Sequence, residues 1–87
     1  MSKAQMEWAK NILKHLKCLP PEKVKVRIYA LYQQATVGDI NTDRPINDLI
    51  KQLQHDAWAE LKGTSKSDAG EKYIELAEEL RLKDCKP

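Results

Sequence analysis

Residue types that could do chemistry are few in this chain and widely spaced. There is no H-E-x-x-H, no Walker loop and no G-x-S-x-G, and His15 and His55 sit on separate helical segments with no obvious partner. Two solvated or partly packed imidazoles account for them better than a general base or a metal ligand. The more informative set is a stripe on one segment. Lys25, Tyr29, Tyr32, Gln33 and Thr36 fall within one sector of a helix that turns about 100° per residue, beside an apolar seam. Lys14 lies on a preceding segment, Lys51, Gln54 and Trp58 on one flank of a following one, and Tyr73 on the last. From residue types alone, the plainer reading of the tyrosines is that they complete a core with their hydroxyls at its rim.

The segments that must position these residues are helical. Ser2-Lys3-Ala4-Gln5 has the form of a capping box, and Met6, Ala9, Leu13 and Leu16 follow at helical spacing, so a first helix is predicted from about Lys3 to Lys17. Leu19-Pro20-Pro21 stops it, and a second helix starts near Pro21. Val24, Ile28, Leu31 and Ala35 form the seam of that helix, and Gly38 ends it. Asp39 to Pro45 is rich in turn-forming residues and reads as one ordered loop. Asn47 or Asp48 caps a third helix with Ile50, Leu53, Ala57 and Leu61 on its seam, and Gly63 follows. Ser65-Lys66-Ser67-Asp68 caps a fourth, which carries Ala69, Tyr73, Leu76 and Leu80 to about Lys83. Gly70 is its weak point, costing about 1 kcal/mol relative to Ala in a helix interior. No segment alternates with the period of a strand, so the fold class is all-α, a four-helix bundle.

Composition bounds the rest. The 87 residues suit a single domain over 1–87, and a chain of that size buries only about 60 to 65% of its unfolded surface, so the core must be economical. Fifteen Lys and Arg against thirteen Asp and Glu are mixed along the length, with no basic arm that would engage nucleic acid. Apolar runs are too short for a spanning helix, and the N-terminus lacks a signal-peptide core, so a cytoplasmic location is expected. Cys18 and Cys85 belong to no C-x-x-C or Cys/His cluster, which leaves no support for zinc or a redox motif. Free thiols in a reducing compartment are expected, although a Cys18–Cys85 bridge becomes available under oxidation if the ends of the first and last helices meet.

Several stretches carry a specific likeness. LKHLK at 13–17, IYALYQQATVGDINTDRP at 28–45 and DAWAELKGTSKSDA at 56–69, followed by Tyr73 and Ile74, resemble the acyl-CoA-binding protein family, also described as diazepam-binding inhibitor or endozepine. The resemblance implies an up-down-down-up four-helix bundle with a shallow bowl for the CoA head group and cover for the acyl chain. It implies no chemistry on the thioester, no cofactor and no metal, and it fits a monomeric carrier of medium- to long-chain fatty acyl-CoA. By this resemblance Tyr29, Tyr32 and Tyr73 match the binding tyrosines, Lys14 the basic position on helix one, and Ala9 the place where helix one borders the ligand.

Two positions depart from the family pattern: Gln33 and Gln54 stand where the family usually has lysines facing CoA phosphates. The segment between Pro45 and Trp58 is also one residue shorter than usual, and His55 replaces a tryptophan. Glutamine can donate to phosphate but brings no charge. Lys25 and Lys51, each one turn before a site residue, are candidate replacement cations, against the plainer reading of solvated surface lysines. Trp8, on the outer face of helix one, motivates the alternative of a diverged helical interaction module with little CoA binding.

Overall fold

A computed structural model describes residues 3–84 and contains four helices, α1 (Lys3–Lys14), α2 (Glu22–Thr36), α3 (Leu49–Glu60) and α4 (Lys66–Lys83). No strand occurs among the described residues. The expected cap at Ser2 lies outside them. α1 is shorter than its pattern predicts because the chain closes on His15. The His15 backbone N–H is shared between the carbonyls of Asn11 (3.2 Å) and Ile12 (3.1 Å), and its ring Nδ1 also reaches the Asn11 carbonyl at 2.7 Å. Such tightening is common in a last helical turn.

The remaining ends follow local chemistry. Pro21 precedes α2, and its carbonyl accepts from Val24 and Lys25. At the other end the N–H groups of Val37 and Gly38 both turn back to the Gln33 carbonyl, with Gly38 at φ +100°. A side chain at Gly38 would be strained by that φ, and its Cβ would meet Lys66 Cε at 3.3 Å. Asp48 caps α3 by accepting from the Lys51 N–H at 3.0 Å, and Ser65 caps α4 by accepting from Asp68 at 3.0 Å.

Chain direction can be derived from what the ends touch. Trp58 Nε1 donates to the Gly38 carbonyl (2.8 Å) and Gln34 Nε2 donates to the Thr64 carbonyl (2.7 Å), so the C-terminal end of α2 meets that of α3 and the start of α4. Asp84 accepts from the backbone N–H groups of Lys17 (2.6 Å) and Cys18 (3.0 Å), which joins the C-terminal ends of α1 and α4. Parallel α2 and α3, with α1 and α4 running the other way, make the topology up-down-down-up. α2 packs on both α3 and α4, while α1 packs on α4. The result is a flat body with extents of 39 × 30 × 15 Å.

The core sets alanines against a few large side chains. Ala9, Leu31, Tyr73 and Ala77 form its buried cluster, with Met6, Leu13, Ile28 and Ile74 packed around them. Alanines at the contacts let helix axes approach closely, which is how so short a chain encloses a core. The seam predicted for α2 is rotated: its buried residues are Val26, Ala30, Leu31 and Gln34, because the helix is covered by two neighbours rather than one. α3 buries only Trp58, and Ile50 and Leu53 are left 42% and 43% exposed. It has a single helical neighbour and no second surface against which to bury that stripe. Free thiols were expected from the sequence, but Cys18 is disulfide-bonded; Cys85 lies outside the described residues.

Gln34 is 1% exposed and its amide links two elements, donating to Asp39 Oδ1 (2.9 Å) as well as to Thr64. Asp39 in turn accepts from the Gly63 N–H at 2.9 Å. That backbone bond first and then the Gln34 amide hold the Asp39 carboxyl below its ordinary value against an opposing effect of desolvation, with the nearby Lys62 adding the least. A lowered folded-state pKa stabilises the fold above the ordinary carboxylate pKa, and this contribution is lost as pH falls through the folded value. Urea unfolding followed from pH 6 down to pH 2 is therefore expected to show stability declining below about pH 4, with a shallower decline in Asp39→Ala. An identical pH slope in the two proteins would contradict this role.

Candidate functional site

One side of the bundle collects most of the residues singled out in the sequence. Tyr29 and Tyr32 lie one turn apart on α2 and so share a face. Gln33 Nε2 donates to the Tyr29 hydroxyl at 2.9 Å, fixing both side chains at the edge of that face. Tyr32 packs on Tyr73 of α4 with ring centroids 5.5 Å apart and planes tilted by 57°, within the range favoured for aromatic pairs. Tyr73 itself is only 3% exposed. Burial, reinforced by the neighbouring Tyr32 and Glu7, pushes its hydroxyl up to about 12. It is a neutral phenol at any physiological pH.

Beside Tyr29 lies a cavity of about 310 Å³, to which α3 contributes Lys51, Gln54, His55 and Trp58. Thr42 and Pro45 from the long loop close it. The loop is a fixed wall because α3 holds it repeatedly. Besides the Trp58 bond to Gly38, His55 Nε2 donates to the Thr42 carbonyl at 3.0 Å, and Gln52 Nε2 donates to the carbonyls of Pro45 and Ile46 at 3.0 Å each. Arg44 grips Asp56 through two contacts of 3.0 and 3.2 Å. That bidentate pair holds the Asp56 carboxyl below its usual value.

The structure thus brings Tyr29, Lys51 and Gln54 around one cavity, joins Gln33 to Tyr29, and joins Tyr32 to Tyr73. Ala9 is fully buried against Leu31, Tyr73 and Ala77, so its methyl group packs and does not face solvent. Lys14 is exposed on the last turn of α1. Lys25 makes an exposed 3.7 Å ion pair with Glu22, a contact of little energetic weight. A lysine absent from the sequence-derived set meets the tyrosines: Lys10 Nζ lies 5.5 Å from the centre of the Tyr32 ring. Its position one turn before Lys14 and beside Ala9 was the available signal. His55, read from the sequence as an ordinary imidazole, lines the cavity and braces its loop. Among the described residues no cluster of His, Cys, Asp and Glu could hold a metal ion.

A thin all-α bundle whose aromatic and cationic face flanks a preformed hollow defines a small ligand-binding protein. A family model described as Acyl CoA binding protein matches residues 3–77. Acyl-CoA-binding protein homolog 1 of Caenorhabditis elegans is 43% identical over 72 residues, 82% of this chain and 84% of that protein. Diazepam-binding inhibitor-like 5 of Mus musculus is 39% identical over 85 residues, covering 97% and 98% of the two chains. The crystal structure of ACBP from Moniliophthora perniciosa superposes with a TM-score of 0.87 at 35% identity, over 99% of this chain and 86% of that one. The chain belongs to the acyl-CoA-binding protein family, and its fold is that of the family.

The buried phenol gives a direct check on the site's interior. Because Tyr73 ionises near 12 in the fold and near 10 when unfolded, the unfolded chain loses that proton first, and stability is expected to fall as pH rises through this interval. Alkaline titration by ultraviolet absorbance should contain a late component near 12 that is absent from Tyr73→Phe. Its presence in the variant would show that Tyr73 is not the shielded ring.

Proposed function

We propose that this face binds the CoA portion of a fatty acyl thioester and that the chain serves as a carrier and pool former for medium- to long-chain acyl-CoA. The single observation that carries the reading is the joint placement of Tyr29, Lys51 and Gln54 around one hollow, continuous along α2 with the Tyr32–Tyr73 pair. Such a ligand needs an aromatic face for adenine, cations and donors for phosphate, and apolar cover for the chain. Tyr29 and Tyr32 supply the faces in this proposal, Lys10, Lys14 and Lys51 the charge, and Gln33 and Gln54 neutral donors. Lys25, engaged with Glu22, is a more distant reserve of charge. Ala9 backs the site by letting α1 lie close to α4, and Tyr73 supports Tyr32 from below. Nothing in the proposed roles acts on the thioester bond, so ligand is held and released unchanged.

The proposed working form is a cytoplasmic monomer of one domain. Among the described residues no helix is long and apolar enough to cross a membrane.

Calorimetric titration with palmitoyl-CoA tests the function. One-to-one saturation is expected at micromolar to submillimolar ligand, and no saturation in that range would overturn the proposal. A hydrogen bond to a charged group contributes about 1.5 to 3 kcal/mol, and the added charge at each position should recover part of this. Gln33→Lys and Gln54→Lys are therefore each expected to tighten binding by about tenfold. Unchanged affinity in both would contradict the assigned phosphate contacts.

A further inference from the structure

The ring of His55 is held between two acceptors. Its Nε2 donates to the Thr42 carbonyl at 3.0 Å, and its Nδ1 lies 3.5 Å from Asp56 Oδ1. Nδ1 is buried and has no hydrogen-bond partner, and the side chain as a whole is only 16% exposed. A neutral imidazole carries one N–H, which the Thr42 carbonyl takes, so the other nitrogen turns a bare lone pair toward the carboxylate. Arg44 keeps that carboxylate ionised and fixed through its contacts of 3.0 and 3.2 Å. Only the doubly protonated ring offers a donor to both neighbours, and imidazole is the side chain whose charge changes between about pH 5 and 8.

The charged and titratable groups about this ring come from three elements: Asp56 and Lys51 on α3, Arg44 on the loop and Tyr29 on α2. Asp56 attracts a proton to Nδ1, whereas Lys51, one turn before His55 on the same side of α3, repels it. No carboxylate lines the cavity itself. An anion that enters it therefore tips the balance toward the imidazolium. We propose that His55 is a proton-dependent positioning residue of this cavity: an anionic phosphate of the bound ligand draws a proton from solvent onto Nδ1, and the imidazolium then ties the loop at Thr42 to Asp56 while adding a second cation beside Lys51. The inference rests on the proposed function and adds to it that ligand and proton bind together. The coupling is reciprocal, so whatever affinity the proton lends the ligand, the ligand lends the proton.

The test is calorimetric titration of the full chain with palmitoyl-CoA at pH 8 and pH 6, repeated at pH 7 in buffers of different ionisation enthalpy, for the wild type and His55→Gln. Glutamine keeps a donor for the Thr42 carbonyl but takes up no proton. A phosphate monoester itself changes charge at about pH 6. That background is common to both proteins, so their comparison isolates His55. The ratio of wild-type to variant affinity is expected to rise roughly three- to fivefold from pH 8 to pH 6, the weight of one partly exposed charge pair. At pH 7 the wild type is expected to take up more protons per ligand than the variant. Saturation with equal proton uptake in both proteins, or an affinity loss in His55→Gln that is the same at both pH values, overturns the inference and leaves the carrier function standing. No saturation in either protein overturns the carrier function and this inference with it.

Discussion

The structure depends on the point at which the buried Gln34 amide ties the end of α2 to the turn between α3 and α4. Gln34 donates to Asp39 and to the Thr64 carbonyl, Asp39 accepts from the Gly63 N–H, and Trp58 closes the same corner on Gly38. These bonds satisfy backbone groups that a helix end and two turns would otherwise leave unpaired, and an unpaired buried group costs about 1–3 kcal/mol. They also force α2 and α3 to run parallel, which is why a long loop must span the body and why it becomes a wall of the cavity beside Tyr29. This corner and the bonds from α3 to Thr42, Arg44, Pro45 and Ile46 together give the loop its fixed course.

The second constraint is thickness. A body 15 Å deep has few interior positions, so almost every helix is half exposed and residues of the proposed site are only one position round from core residues. Leu31 is buried while Tyr32 beside it contacts Tyr73 and Lys10. Core and site therefore share side chains: Tyr73 is a core residue on one face and a support for the aromatic pair on the other. This economy favours binding over catalysis, because a shallow face can arrange donors and rings but gives little shelter from water.

Much of the scaffold was legible where the cause is local. Asp48 and Ser65 cap helices, and Gly38 ends α2, because each acts on atoms within a few residues. The rotated seam of α2 was not legible, since Val26 and Gln34 are buried by the simultaneous approach of α3 and α4, which periodicity in one segment does not encode. The exposure of Ile50 and Leu53 has the same origin. For the site, residue types alone left the tyrosines as core-forming rings, and it was the likeness over 28–45 and 56–69 that grouped Tyr29, Tyr32, Tyr73, Gln33 and Gln54. Lys10 escaped that reading because a lysine over a ring is set by the angle between α1 and α2, a tertiary quantity.

The central claim is that the α2 rings, backed by Tyr73 of α4, and cations from α1 and α3 act on one ligand, with one corner fixing α2 against α3 and α4 and the Asp84 contacts joining α1 to α4. Intermolecular nuclear Overhauser contacts in a palmitoyl-CoA complex test it most directly. Contacts from CoA protons to the rings of Tyr29 and Tyr32, with the amides of Lys51 and Gln54 shifting at the same midpoint, are the expected result. Bound palmitoyl-CoA that contacts neither ring, with Lys51 and Gln54 unmoved, would contradict it.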